Sequence, residues 1–417
     1  MANSSRKVIS LFTGAGGLDL GFEAAGFETA VAVEMDNQCV ETLRHNRDWP
    51  VLHSDVASVS SRELFETANL APKEAALLIG GPPCQPFSKS GFWATGESKR
   101  LKDPRAATLD EYLRVLEDAL PQAFLLENVA GIAYRGKSEG LEYLLDRVRS
   151  INKTNKTNYQ VKTMRLNAAS FGVPQIRERV FLVAHRDGLP FGELRATHVC
   201  KPETEEQPLL EDIDLQPANT AWDAIGHLAP DNEYEELIPR GKWADLLPSI
   251  PEGGNYLYHT DRGEGVPLFG WRRRFWNFLL KLDRCRPSWT LTAQPGPATG
   301  PFHWDNRYLS TRELAAIQTF PADYHVLGSR SEAHKQIGNA VPSALAEAIG
   351  LAMRARYFGE THLDSGIPTL LPTKAPSVPK ARSAAPVPEK YLDYVGEHLA
   401  HPGTGKGYGA QRAQTPV

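Results

Sequence analysis

The sequence predicts an α/β protein: a doubly wound, mostly parallel sheet, with a smaller lobe inserted late in the chain. Three observations carry this. Short, nearly continuous apolar runs recur through the first 186 residues, and patterns of helical spacing separate them, as expected of strands buried on both faces. Several of those runs end in glycine turns or in an acid, on the edge where open sheets hold ligands. From Asp187 the alternation stops, and it resumes near Pro287.

Composition narrows the class. At 417 residues the chain exceeds one compact core, so two lobes are expected. No apolar run approaches the ~20 residues of a membrane span. The first residues lead straight into a strand without a signal-peptide apolar region, which sets the expectation of a cytoplasmic protein. Cys39, Cys84, Cys200 and Cys285 lack the spacing of a metal or redox pair, so no metal site is expected. The net charge of −4 carries no basic excess, and any nucleic-acid surface must be local.

Taken in order, Val8-Ile9-Ser10-Leu11-Phe12 reads as the first strand. Thr13-Gly14-Ala15-Gly16-Gly17 turns the chain, and Leu18, Phe22 and Ala25 mark one face of a helix. Strand, glycine turn and helix form the front half of a nucleotide-cofactor unit, although a plain tight turn would look the same. The next strand ends in Glu34 and the third run ends in Asp55. Either acid alone could cap a helix, whereas both together suit the hydroxyls and amino group of an adenosyl cofactor.

Ala75-Ala76-Leu77-Leu78-Ile79 is a fourth strand, followed by Gly80-Gly81-Pro82-Pro83-Cys84-Gln85-Pro86-Phe87-Ser88. Glycines turn the backbone and prolines stiffen it around one cysteine just past a core strand. A lone cysteine is usually a small buried hydrophobe, but this frame favours a nucleophile. Leu109, Tyr112, Leu113, Leu116 and Leu120 make an amphipathic helix, and the strand after it carries Glu127 near its end. That carboxyl would share the sheet edge with Cys84, where an apolar pocket raises its pKa and suits it to give a proton. A further helix carries Leu141, Leu144, Leu145 and Val148; strands over 159–166 and 179–184 follow. Gln175, Arg177 and Arg179 alternate just before the last of these, and two like charges on one face want a polar or anionic partner.

Residues 262–286 carry Arg262, Arg272, Arg273, Arg274, Lys281, Arg284 and Arg286, with Trp271, Phe275, Trp276 and Phe278 interleaved. Basic plus aromatic fits a nucleic-acid face; an amphipathic helix would leave the same pattern. Residues 311–320 read as a helix, and Gln336-Ile337-Gly338-Asn339-Ala340-Val341-Pro342 opens a long one reaching Phe358. From Gly366 onward the chain is proline-rich and poor in apolar residues, which reads as a disordered tail with one short helix over 391–399.

These motifs carry a resemblance. The chain from Val8 to Tyr357 resembles the DNA (cytosine-5)-methyltransferases of bacterial restriction–modification systems. The glycine loop at 12–17, the Pro-Cys stretch at 81–88, Glu127-Asn128-Val129, Gln175-x-Arg177-x-Arg179, Arg307-Tyr308-Leu309-Ser310-x-Arg312-Glu313 and Gln336-x-Gly338-Asn339-Ala340-Val341-Pro342 look like six of that family's blocks, in its order. The resemblance implies a Rossmann-like class I S-adenosylmethionine-dependent fold, with catalytic segments at 1–186 and 307–358, a target-recognition lobe at 187–306 and the tail at 359–417. It implies S-adenosyl-L-methionine as cofactor, held by Phe12, Gly14, Gly16, Gly17, Glu34, Met35, Asp55, Asn339 and Val341. It implies that Cys84 attacks cytosine C6, that Glu127 acts at N3 and Arg177 or Arg179 at O2, and that C5 takes the methyl group. The loop over 87–102 looks like the segment that closes over a flipped base. The implied partner is double-stranded DNA, bound by a monomer that works beside a restriction endonuclease without a stable complex. An RNA cytosine methyltransferase and a catalytically silent DNA-binding relative are the competing readings. The intact Cys84, Glu127, Arg177 and Arg179 oppose the second.

Overall fold

A computed structural model describes residues 6–83, 107–129, 139–199, 215–228, 234–270, 275–363 and 366–396. Cys84 and the expected closing loop at 87–102 lie outside the described residues. Seven strands form one sheet: β1 (Lys7–Leu11), β2 (Glu28–Glu34), β3 (Val51–His53), β4 (Leu77–Gly80), β5 (Ala123–Val129), β6 (Lys162–Asn167) and β7 (Glu178–His185). Their order is β3-β2-β1-β4-β5-β7-β6, with β7 antiparallel to both neighbours and the remaining pairs parallel. The described helices are α1 (Gly17–Ala24), α2 (Asn37–Asn46), α3 (Ser61–Ala68), α4 (Ala107–Ala119), α5 (Glu139–Asn155), α6 (Ala221–Ile225), α7 (Thr311–Ile317), α8 (Arg330–Asn339) and α9 (Ser343–Tyr357).

Strand side chains alternate between two cores. Ile9, Leu11, Leu78, Phe124 and Leu126 face α3, α4 and α5, while Val8, Leu77, Ile79, Ala123 and Leu125 face α1 and α9. Coverage on both faces is why the strands read as continuous apolar runs rather than as alternation. The strand order reverses between β1 and β4, so the glycine loop and residues 81–83 leave the sheet at its switch point.

Three expectations change. The long helix opening at Gln336 is two helices: α8 ends at Asn339, and α9 begins after Pro342. Pro342 disfavours helical backbone at Val341, which forces the break. Ser329 and Glu332 form a capping box that starts α8, a signal present in the sequence. The basic–aromatic stretch holds no described helix; residues 275–284 run through turns and isolated bridges. The tail is the third change. Residues 366–396 lie against the body, with Tyr391 buried, and the expected helix is a short 3-10 turn at Glu389–Tyr394. Prolines preset an extended backbone there, and side chains of the body supply its hydrogen bonds.

Between β7 and α7 the chain builds its own core from Leu246, Leu247, Ile250, Tyr256, Phe269 and Phe278. The later part of the same region, through Leu282, Leu291 and Trp304, packs instead with Ala15, Leu20 and Ile317 beside the glycine loop. No described helix is long and apolar enough to cross a membrane.

Candidate active site

The loop after β1 is held from three sides. Phe12, Gly14 and Gly16 take left-handed backbone, with φ of 53°, 57° and 78°. For Phe12 that conformation is unusual, and its ring packs against the core beside α3–α5. The Gly14 N–H donates to Glu34 Oε2 at 2.7 Å, while Oε1 accepts from the Met35 and Asp36 N–H groups at 2.9 and 2.8 Å. Glu34 therefore ties the end of β2 to the loop and retains acceptor capacity at Oε2. The Tyr324 hydroxyl donates to the Ala15 carbonyl at 2.9 Å. A Cβ at Gly17 would lie 2.5 Å from the Val341 carbonyl, so only glycine lets α1 approach the 339–342 segment this closely.

These contacts bring Phe12, Gly14, Gly16, Gly17, Glu34, Met35, Asn339 and Val341 to one edge of the sheet. Asp55 lies on the same edge, since the Ser54 N–H donates to the Glu34 carbonyl at 3.0 Å. Its own carboxylate accepts from Ala57 N–H at 3.0 Å, the capping role its position also allowed. Met35 is 65% exposed, a large apolar side chain left open beside a carboxylate with spare acceptor capacity. That combination fits an adenosyl group, which offers a flat ring and ribose hydroxyls. The N-terminus of α1 adds N–H groups suited to a carboxylate.

The second half of the site sits at the ends of β4 and β5. Glu127 and Arg179 are diagonal neighbours across the antiparallel β5–β7 pair, where Val129 faces Arg179 and Glu127 faces Phe181. Arg179 Nε lies 2.9 Å from Glu127 Oε1. Burial pushes the Glu127 carboxyl above its ordinary range, and the positive charges of Arg179 and then Arg177 oppose that rise. Gly81 backs onto this carboxyl: a Cβ there would stand 3.0 Å from Glu127 Oε2. A side chain at Gly81 would therefore crowd the acid.

Arg177 and Arg179 have different surroundings. Arg177 is fully buried, and its terminal nitrogens donate to the carbonyls of Leu291 at 3.1 Å, Gly338 at 2.7 Å and Ala340 at 3.0 Å. A cation at the C-terminus of α8 is favoured by the helix dipole as well as by hydrogen bonding. Burial, and then the charge of Arg179, hold its pKa well below the usual value. Gln175 joins the same network, donating to Gln318 Oε1 at 3.1 Å and accepting from Leu291 N–H at 3.2 Å. Sequence alternation could not separate the two arginines, because the carbonyl partners of Arg177 come from segments more than a hundred residues away.

A third feature adjoins the stretch that carries the two arginines. Phe275 is 83% exposed and Trp276 54%, and Trp276 meets Trp289 edge-on at 5.7 Å. Trp289 lies between Ser288, whose carbonyl accepts from Ile176 N–H at 2.8 Å, and Thr290, whose hydroxyl donates to the Ile176 carbonyl at 2.6 Å. The exposed aromatics are therefore joined to the stretch that carries Arg177 and Arg179.

Comparison with known proteins identifies the family. The model of the C-5 cytosine-specific DNA methylase family matches residues 6–355. Type II methyltransferase M.SacI of Streptomyces achromogenes is 38% identical over 374 residues, covering 84% of this chain and 93% of the relative. Type II methyltransferase M.AquIA of Picosynechococcus is 43% identical over 228 residues, 54% of this chain and 90% of that protein. A solved structure of a putative prophage-encoded DNA modification methyltransferase from E. coli shares the fold, with a TM-score of 0.58 at 21% identity over 84% of this chain and 99% of that one. The chain belongs to the C-5 cytosine-specific DNA methylase family, and it is a DNA (cytosine-5)-methyltransferase that uses S-adenosyl-L-methionine.

Proposed function

We propose that this enzyme methylates one cytosine within a short duplex DNA sequence, with Cys84 as nucleophile, Glu127 as the acid and Arg179 as the charge-stabilising partner. The observation that carries this is the Glu127–Arg179 pair beside Gly81, three residues before Cys84 in the sequence. Cytosine C5 is a poor nucleophile. Addition of the Cys84 thiolate to C6 breaks the ring's aromaticity and moves electron density to C5. Negative charge then builds on the ring. Glu127, with a pKa raised by burial, gives a proton at N3, and the Arg179 guanidinium offsets charge at O2. S-adenosylmethionine supplies the methyl group that C5 takes. A base then removes the C5 proton, the C5–C6 double bond re-forms, Cys84 leaves as the thiolate, and N3 returns its proton to Glu127. Arg177 acts as a positioning residue, because carbonyls of 291, 338 and 340 already engage its terminal nitrogens.

Residues 187–306 are the natural DNA-reading part, by the basic–aromatic stretch at 262–286 within them and by the exposure of Phe275 and Trp276 near the segment that pairs with Ile176. Protection of host DNA from a cognate restriction endonuclease, by a monomeric cytoplasmic enzyme, is the biological role we infer from relatives named type II methyltransferases.

Methyl transfer from labelled S-adenosylmethionine into a random duplex pool, with wild type beside Cys84→Ala, tests the reading. We expect label in 5-methylcytosine at one short site, and none with the variant. Label in duplex DNA that survives Cys84→Ala would remove the assigned nucleophile. Label absent from duplex DNA but present in RNA would favour the competing RNA substrate.

A further inference from the structure

The C-terminal segment 366–396 lies beyond the residues matched by the family, which end at 355. It starts on the catalytic core. The Thr369 N–H and hydroxyl donate to Oε1 of Glu347 at 2.7 and 2.8 Å, and the Leu370 N–H donates to Oε2 at 3.0 Å. Glu347 is fully buried on α9, so the strap satisfies a carboxyl that would otherwise be isolated in the core.

The strap then crosses to the inserted region. Lys374 Nζ and the Ala375 N–H donate to Asp223 at 3.2 and 2.8 Å, and Trp222 Nε1 donates to the Ser377 carbonyl at 2.9 Å. The Ala385 N–H donates to the Pro248 carbonyl at 2.9 Å. It ends in the small core. Tyr391 is 2% exposed, stacks on Trp243 at 5.7 Å with rings 15° apart, and donates its hydroxyl to the Lys242 carbonyl at 2.8 Å. One peptide is thus anchored by a buried group in each of two cores.

We propose that residues 366–396 are a brace that fixes the DNA-reading lobe against the catalytic lobe, with Tyr391 as its anchor, and that they set duplex affinity and site discrimination. The inference rests on the reading of 187–306 as the DNA-reading part. A duplex read by one part of the chain and modified by the other must be held in one orientation. A lobe free to rock would lose binding energy to its own ordering when DNA arrives, and a brace removes that cost in advance. Tyr391 touches neither cofactor nor the residues assigned to chemistry, so it is a positioning residue.

The test compares four enzymes on a duplex carrying the methylated site found by sequencing: wild type, a chain ending at residue 365, Tyr391→Ala and Tyr391→Phe. The chain ending at 365 should keep its cofactor affinity and kcat, while KM for the duplex rises about tenfold and methylation at near-cognate sites increases. Tyr391→Ala should move the same quantities in the same direction. Tyr391→Phe, which keeps the ring, should stay near wild type. The peptide 366–396 added in trans should restore the KM of the shortened chain. A folded shortened chain with unchanged duplex KM and unchanged discrimination overturns the brace. So does parallel loss of cofactor binding that the peptide fails to restore, since the segment would then be an ordinary part of the fold. Trp276→Ala in the full chain separates the underlying reading: if it too leaves the duplex KM unchanged, the DNA-reading assignment is what fails.

Discussion

Glu127 is the residue where opposing influences are most evenly set. Burial raises its pKa, and Arg179 at 2.9 Å pulls it back. A raised pKa keeps the protonated acid available to higher pH than an ordinary glutamate would. Activity that needs this proton is therefore present below the raised pKa and lost as pH rises through it. Glu127→Gln should lower the rate of a single turnover by about 10²- to 10³-fold and remove that alkaline limb. The same limb persisting in the variant, across pH 5 to 9, would assign it to another group. The place of Glu127 near the end of an apolar strand run was legible in the sequence, although such an acid can also serve as a cap, as Asp55 does. The division between Arg177 and Arg179 was not. Arg177 precedes the first residue of β7, and what decides its role is the end of α8, which the fold returns to it from 161 residues away.

At the scale of elements, the link from Arg177 to α8 is what joins the catalytic stretch to the cofactor edge. Two carbonyl contacts from a planar fork hold the 338–340 backbone and a third holds Leu291, and Val341 in turn meets α1 at Gly17. Lysine keeps the charge but cannot span three acceptors. Arg177→Lys should therefore cost about 3 kcal/mol in denaturant unfolding and weaken cofactor binding. Arg179→Lys should change stability little and reduce kcat instead. Equal stability loss in the two variants would refute the division of roles. The existence and order of β1, β2, β4 and β5 were legible from apolar runs alone. Helix α8 was missed although its capping box stood in the sequence, because its mean hydropathy is low and its face is mostly polar.

At the scale of the whole molecule, one buried carboxyl tunes stability. Asp19, on α1, is fully buried facing Ser10 and Thr29, and neither of its oxygens makes a hydrogen bond of normal length among the described residues. Burial pushes its pKa up to about 7. A carboxyl raised in the folded state favours folding most below its unfolded pKa near 4, and that contribution is lost as pH rises toward 7. The stability gained by Asp19→Asn over wild type should widen by about 1.4 kcal/mol per pH unit up to pH 7 and level off above. A difference that stays flat from pH 5 to 8 would show that the carboxyl is not buried as charge. The sequence by itself determined the fold class, the order of the functional blocks and the chemistry they allow. Those follow from local rules: which runs can be strands, where a chain must turn, and which side chains can act on a ring. Tertiary structure alone decided which arginine faces the acid, and that residues 366–396 form a strap on the body. Both depend on partners supplied from distant segments, Gly338 and Ala340 for Arg177, Glu347 and Trp243 for the strap. No local pattern encodes contacts that arise only when those segments fold onto one another.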